Sequence, residues 1–396
     1  MTPDADFFTY LCRSVTTTPY EDMKFNVPSK TLSGFVSAVS KVINSKNPLT
    51  ILNNFLFVLE EDTLTVKASD SENSLVARLD VTGTEGEGSF CLDARRIVEL
   101  LRELPDQGIT FDINDENLEV KISYSSGDYS TVGINGREYP EPEQADEGER
   151  LSFVCPTEVV MKGIENTLFA VGTDDLRPQM MGILWDVKPD HIVFVATDTR
   201  KLVKFTNSLV QPQCECSFIL PLKPATVLKN VFAKEDSIKV TVSERNVRFE
   251  SSSYIFDCRL IKGNFPPYER VIPAGNPYTL TIDRQSLINS LRRVCVFGDD
   301  GNGLVKFKLS ADNLTLRAQD SSYGTSGLES LPCQYDGAEL LIGFGAPYLL
   351  EIFNTLSTPD VMMKLADPSH AAICLPAENA PGTELLMLLM PMHIVD

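Results

Sequence analysis

No apolar run in this 396-residue sequence approaches the roughly 20 residues that a membrane-spanning helix needs. The apolar cluster at 7–12 is too short for an export signal, and acidic residues stand before it where basic ones belong. Histidine is scarce: His191, His370 and His393 are all there are, and none has a carboxylate or ligand partner at motif spacing. No glycine-rich loop carries the Lys-Ser/Thr of a nucleotide-binding loop. The nine cysteines are odd in number, scattered and without zinc spacing. Cys214 and Cys216, two apart in an expected strand, would share one face and pack together. These features point to reduced thiols in a cytoplasmic protein, with no catalytic residue, metal site or cofactor to name. Basic charge is also short, with 35 Lys and Arg against 55 Asp and Glu for a net charge of −20. A surface that binds phosphates should be basic.

What the chain does have is one pattern written three times. Each copy opens with an amphipathic helical stretch and runs through alternating strands to an aspartate. The copies begin FNVPSKTLSGFVSAVSKVI, LSFVCPTEVVMKGIENTLFAV and LTIDRQSLINSLRRVCVF, and reach Asp70, Asp198 and Asp320. A second helix of the same kind follows each aspartate, in LDARRIVELLRELP, PLKPATVLKNVF and GAPYLLEIFNTL. A period of roughly 120 to 130 residues is domain-sized, so this is tandem domain duplication and not a short-repeat solenoid.

In the first helix Leu32, Phe35, Val36, Val39 and Ile43 fall at helical spacing, and in the second Ile97, Leu100, Leu101 and Leu104 do so. Asp93 can cap the second helix, and Pro224 and Pro347 sit where first-turn prolines are tolerated. Period-two runs mark strands at Leu64, Val66, Ala68, at Ile192, Phe194, Ala196 and at Leu314, Leu316, Ala318. The fold class is therefore α+β, with two helices and about eight antiparallel strands per domain. Linkers rich in Pro, Gly and polar residues lie at 140–150 and 273–278, placing domains at 23–145, 146–274 and 275–396 behind an N-terminal extension at 1–22.

Cations gather on the helices. Lys30, Lys41 and Lys46 lie in or beside the first, Arg95, Arg96 and Arg102 in the second, and Lys162 in the third. Lys223, Lys229 and Lys234 lie in or beside the fourth, and Arg284, Arg292 and Arg293 in the fifth; the sixth has none. Acidic residues crowd loops such as EEDTL, TEGEG and EPEQADEGER. Such cations are either the solvated faces of amphipathic helices or a surface for a polyanion. The loop Asp299-Asp300-Gly301-Asn302-Gly303 resembles a cation site but lacks the downstream glutamate and reads as a turn. Asp70, Asp198 and Asp320 recur in every repeat, which suits turn or cap residues better than catalytic ones.

Four short stretches carry a resemblance: Met23-Lys24-Phe25; Ala196-Thr197-Asp198 followed by Arg200, Lys201 and Leu202; Gly263-Asn264-Phe265-Pro266-Pro267-Tyr268 continuing to Arg270-Val271-Ile272-Pro273; and Leu388-Leu389-Met390-Pro391-Met392. In this order, in a triplicated α+β chain, they resemble the bacterial β sliding clamp family, the processivity subunit of the replicative DNA polymerase. The resemblance runs from Met23 to the C-terminus. It implies a non-enzymatic ring of two three-domain chains joined head to tail, with helices lining the hole and sheet outside.

The resemblance further implies that Lys30, Lys41, Lys46, Arg95, Arg96, Arg102, Lys162, Lys223, Lys229, Arg292 and Arg293 face double-stranded DNA without reading its sequence. Val296 and Phe297 would pack on an edge strand bearing Tyr129 and Thr131 of a second copy. Met180, Thr197, Leu202, Pro266, Val271, Leu388, Met390, Pro391 and Met392 would form a hydrophobic partner pocket, rimmed by Arg177, Arg200 and Arg270. Its partners would be the DNA polymerase III catalytic subunit, the clamp loader and other proteins with clamp-binding motifs. Leu385, Met387 and Leu389 suit a closing strand, whereas proline-linked methionines suit a surface that accepts several partners. The sequence departs from the common family pattern at Thr199 (often glycine), Arg200 (often histidine), Lys201 (often arginine), Met180 (often leucine) and His393 (often arginine). Lys46 aligns with a DNA-touching loop residue, and Asp174 stands where a neutral residue is common. The rival readings are an enzyme with an unrecognised site and a ring-like scaffold that does not bind DNA.

Overall fold

Six helices stand where the apolar spacing places them among the described residues: α1 Ser29–Val39, α2 Ala94–Glu103, α3 Thr157–Thr167, α4 Leu222–Val231, α5 Arg284–Cys295 and α6 Ala346–Thr355. The computed structural model describes residues 22–44, 46–140, 150–299 and 303–394. All of the expected extension at 1–22 except Asp22, the body of the linker at 140–150 and the centre of the acidic loop at 299–303 lie outside the described residues.

Leu32, Val36 and Val39 are buried from α1, and Ile97 and Leu101 from α2. Ile43 and Leu104, expected inside those helices, fall beyond their ends. After Val39 the chain tightens into three-residue turns, with Lys41, Val42 and Ile43 N–H groups donating to the carbonyls of Ala38, Val39 and Ser40. Asp93 caps α2 by accepting from the Arg96 N–H at 2.8 Å, and Asp283 caps α5 through the Ser286 N–H at 2.7 Å. Pro224 and Pro347 do sit in the first turns of α4 and α6, where a missing N–H costs no helical hydrogen bond.

The chain folds as two compact units, one from the first repeat together with Ser253–Phe256 and one from the remainder of the second repeat and the third. In the first unit a five-stranded sheet runs in the order Thr82–Glu85, Met23–Pro28, Gly108–Ile113, Glu119–Tyr124, Gly127–Val132. A second sheet holds Ile134–Asn135, Gly88–Asp93, Asn54–Glu60, Thr63–Ser69 and Asn73–Asp80 in that order. Phe57 stacks on Phe90 at 5.2 Å and Phe25 on Phe111 at 4.9 Å, so aromatic rings fill this unit's core.

In the second unit the middle and last repeats share one sheet. Its order is Cys216–Pro221, Gly182–Lys188, His191–Thr197, Lys201–Asn207, Thr383–Leu389, Ala372–Pro376, Asp360–Leu365, Tyr278–Asp283, Gln334–Tyr335. The seam is the antiparallel pair Lys201–Asn207 and Thr383–Leu389, where Lys201 stands opposite Leu389 and Asn207 opposite Thr383. A separate four-stranded sheet runs Thr325–Pro332, Asn313–Asp320, Leu304–Ser310, Leu340–Gly345.

Strand Thr63–Ser69 alternates as expected, burying Leu64, Val66 and Ala68. Strand His191–Thr197 does not alternate, because both faces are covered: Phe194 packs edge-on against Trp185, while Val193 and Val195 join a cluster with Leu184 and Leu202. Cys214 lies just before the strand that begins at Cys216, not within it, and the described cysteines are free thiols.

The three recurring aspartates are turn residues. Asp70 Oδ1 accepts from the N–H groups of Glu72 and Asn73 at 3.1 and 2.7 Å. Asp198 Oδ1 accepts from Arg200 and Lys201 at 2.9 and 2.8 Å, and Asp320 Oδ1 from Ser322 and Tyr323 at 2.7 and 3.2 Å. A short carboxylate bonded to N–H groups two and three residues on reverses the chain between strands, so one chemical device is used in every repeat.

Candidate partner site and helix surface

The turn at Asp198 is where the expected partner residues begin to converge. Thr197 Oγ1 donates to the Lys201 carbonyl at 2.8 Å and accepts from the Thr199 N–H at 3.2 Å. Thr199 takes a φ of +77°, the left-handed region that glycine enters without a Cβ clash. A threonine here therefore carries a backbone that suits glycine. Arg200 projects from the turn into solvent.

Lys201 turns inward. Its side chain is 6% exposed, and Nζ lies 2.9 Å from Asp198 Oδ2 and 2.9 Å from Glu351 Oε2, the latter carried on α6. The ammonium also sits 4.7 Å from the Tyr348 ring centroid. Burial alone would lower the Lys201 pKa, but the two carboxylates outweigh it and hold the pKa above the ordinary lysine value.

Strand Thr383–Leu389 ends beside this turn. The Met390 N–H donates to the Arg200 carbonyl at 2.8 Å, and two residues on the Met392 N–H donates to the Gly343 carbonyl at 2.8 Å. The tail thus leaves the shared sheet, crosses at Pro391 and bridges onto strand Leu340–Gly345. It is strapped at both ends while the Met390 side chain stays 43% exposed. Met392 is half-buried, with Sδ 3.5 Å from where a Gly345 Cβ would stand.

Other expected site residues are deeper. Leu202 and Leu388 are 2% and 3% exposed and belong to a cluster covered by Phe265, Tyr268 and Ile272, so they form a floor and not an open wall. Thr197 is also buried, its hydroxyl committed to the turn. Met180 lies across Gly172 from Thr197: its carbonyl accepts from the Gly172 N–H at 2.8 Å, and a Gly172 Cβ would meet both residues. Arg177 is exposed and pairs with Asp174 at 3.9 Å. Val271 is exposed. Pro266 and Arg270 line a cleft of ≈ 930 Å³ with Leu184, Ile219, Phe265 and Tyr268, and Met390 and Met392 are not among its lining residues. Glu351, Tyr348 and Gly343 escaped the sequence reading. The one available signal was that Glu351 is the lone charge on the helix APYLLEIFNT.

Of the eleven cations expected to face DNA, nine are exposed and two, Lys223 and Lys229, are half-buried. Several are already engaged within the chain: Arg293 grips Glu329 with Nε and Nη2 at 2.7 and 2.6 Å, Arg95 Nε meets Glu99 at 2.8 Å, and Arg292 Nη2 donates to Asn354 Oδ1 at 3.4 Å. Exposed pairs of this kind are screened by solvent and exchange readily for another anion. Arg284 is structural, donating to the carbonyls of Thr358 and Phe353.

Each unit also presents an edge strand, paired on one side only, near the residues expected at the subunit contact. In the first unit this is Gly127–Val132, where exposed Tyr129 stacks on Tyr124 at 5.7 Å and Thr131 is half-exposed. In the second it is Thr325–Pro332, against which the end of α5 packs at Gly327, where a Cβ would strike the Val294 carbonyl. Val296 and Phe297 lie just beyond α5, 76% and 48% exposed. The described residues contain no cluster of metal-binding side chains, and no described helix is long and apolar enough to cross a membrane.

Comparison with known proteins agrees with the repeat. Three family models match in order: DNA polymerase III beta subunit, N-terminal domain, at 23–143; central domain at 155–267; and C-terminal domain at 269–393. Curated relatives called beta sliding clamp include those of Escherichia coli, 26% identical over 374 residues, and Pseudomonas aeruginosa, 26% identical over 375. Each alignment spans 94% of this chain and 100% of the relative. Among solved structures, the DNA polymerase III beta subunit of Thermotoga maritima matches with a TM-score of 0.86 at 24% identity, over 94% of this chain and 100% of that one. The sliding clamp of Bartonella birtlesii, solved bound to griselimycin, matches with a TM-score of 0.87 at 25% identity over the same shares. With three domains in matching order and antiparallel sheets and paired helices in each repeat, the chain belongs to the DNA polymerase III beta subunit family, the beta sliding clamps.

Proposed function

We propose that two copies of this chain close head to tail into a ring around duplex DNA and tether a replicative polymerase to it, with no catalytic step of their own. The observation that carries this reading is the placement of charge. In a chain of net charge −20, nine of the eleven cations named above stand exposed on or beside four of the six helices. Lys and Arg on such a surface neutralise phosphates without touching base edges, which positions the duplex and leaves it free to slide. Enclosure, not affinity, then supplies retention.

The edge strands support the closure. A free strand edge is a template for pairing with another chain, and Tyr129 on one edge and Val296 and Phe297 beside the other give each an exposed apolar complement. Head-to-tail pairing of these two unlike surfaces closes after two copies and covers both of these edges. For partner proteins, the exposed Met390 beside the Arg200 turn, with Leu202 and Leu388 in the floor and Met180, Val271 and Met392 taken as further walls, would offer anchors for an extended segment carrying a glutamine and spaced leucine or phenylalanine. Arg177, Arg200 and Arg270 supply its polar rim. The polymerase III catalytic subunit, the clamp loader and other clamp-binding proteins would compete for it.

The test is synthesis on a long primed template by a polymerase III catalytic subunit with a clamp loader. Adding this protein should extend the product length per binding event. Unchanged product length, with the protein shown to be dimeric, contradicts the proposal.

A further inference from the structure

The two methionines of the tail are held by different parts of the second unit, and a buried ammonium joins those parts. Met390 hangs from the Arg200 carbonyl, on the turn that continues into Lys201. Met392 rests at Gly345, where a Cβ would stand 2.7 Å from the Tyr348 ring and 3.5 Å from the Met392 sulfur. Tyr348 and Glu351 occupy successive turns of α6.

Lys201 Nζ has three N–H donors. One reaches Asp198 Oδ2 and one reaches Glu351 Oε2, each at 2.9 Å, and the ammonium lies over the Tyr348 ring. Asp198, three residues away on the same turn, already neutralises the charge locally. The second carboxylate comes from α6 in the last repeat, 150 positions further along the chain. It adds a link between the turn under Met390 and the helix under Met392. The backbone pairing of Lys201–Asn207 with Thr383–Leu389 holds the shared sheet with or without that link.

We infer that Glu351 is a positioning residue for partner binding: through Lys201 and Tyr348 it sets the spacing between Met390 and Met392. The inference rests on the partner-site reading above. Glu351 is on the surface side of the cluster, its side chain 45% exposed, so replacing it leaves the core intact. A partner segment that needs both methionines at one separation then meets a wall free to shift.

The experiment uses the full chain and an extended peptide carrying a glutamine with spaced leucine and phenylalanine anchors, titrated calorimetrically. Glu351→Ala should weaken binding about tenfold, in the range of couplings carried by residues that do not touch the ligand. Glu351→Gln, whose amide oxygen still accepts from Lys201, should stay within about threefold of the unsubstituted chain. Both variants should keep its melting temperature and its retention on circular DNA. Unweakened binding by Glu351→Ala overturns the inference, and so does an equal loss in both variants. Failure of the unsubstituted chain to bind any such peptide overturns the partner-site reading itself, before the variants are compared.

Discussion

Leu202 and Leu388 stand opposite each other in antiparallel register, one from the middle repeat and one from the last, 2% and 3% exposed. Each repeat's contribution to the shared sheet meets at this pair, and Phe265, Tyr268 and Ile272, near the end of the middle repeat, close over it. The chain end is therefore built into the middle repeat's core before it emerges as Met390. Leu388→Ala should cost about 2–5 kcal/mol of unfolding free energy, the usual range for removing a buried leucine. Denaturant unfolding measures it; a change within experimental error would mean that the seam is not packed as described.

Thr199 offers the opposite sign. A left-handed backbone costs a non-glycine residue roughly 1–2 kcal/mol, and the Thr199 side chain makes no recorded hydrogen bond that glycine would forfeit. Thr199→Gly should therefore stabilise the second unit by up to about 1 kcal/mol, after the entropy that glycine adds to the unfolded chain is set against the relief of strain. Thermal unfolding of the variant beside the parent is the check, and a lower melting temperature contradicts the strained turn.

The methionine tail should matter to partners and not to the fold. Replacing both Met390 and Met392 by alanine removes two side chains outside the buried floor. It should weaken the glutamine-and-leucine peptide by about 2 kcal/mol, close to thirtyfold, as expected where a few anchors concentrate the energy. Calorimetric titration decides it, and equal affinity for parent and double variant would place the partner site elsewhere.

Val296 and Phe297 should matter to assembly alone. Both are exposed beyond α5, beside the edge strand Thr325–Pro332. Burying such a pair in a subunit contact contributes on the order of 3 to 5 kcal/mol from apolar area. Substituting both with aspartate should yield a folded monomer at low micromolar concentration in sedimentation velocity. A dimer that persists at that dilution removes the two residues from the interface.

The local code of this chain is legible because each repeat states it separately. Apolar spacing locates all six helices, Asp93 reads as a cap and is one, and the recurring aspartates read as turns because two N–H groups per carboxylate is a local geometry. What escapes the sequence is long-range. Period-two alternation marks Thr383–Leu389 as a strand but carries no information about its pairing with Lys201–Asn207. The same limit hides the Lys201–Glu351 bond, since nothing in either local sequence points to the other. Thr197, Leu202 and Leu388 share a site with Met390 by resemblance, yet sheet packing makes them its foundation. Ile43 misleads because it continues a helical spacing that the backbone abandons at Val39.

The central claim is topological, and one measurement reaches it most directly. The protein is loaded with a clamp loader onto nicked circular duplex DNA, freed of loader, and passed over a sizing column before and after the circle is cut once. The account predicts that it elutes with the intact circle, at a salt concentration that strips ordinary electrostatic binders, and separates from the DNA once the circle is linear. Equal retention on circular and linear DNA, or none on either after loading, contradicts encirclement.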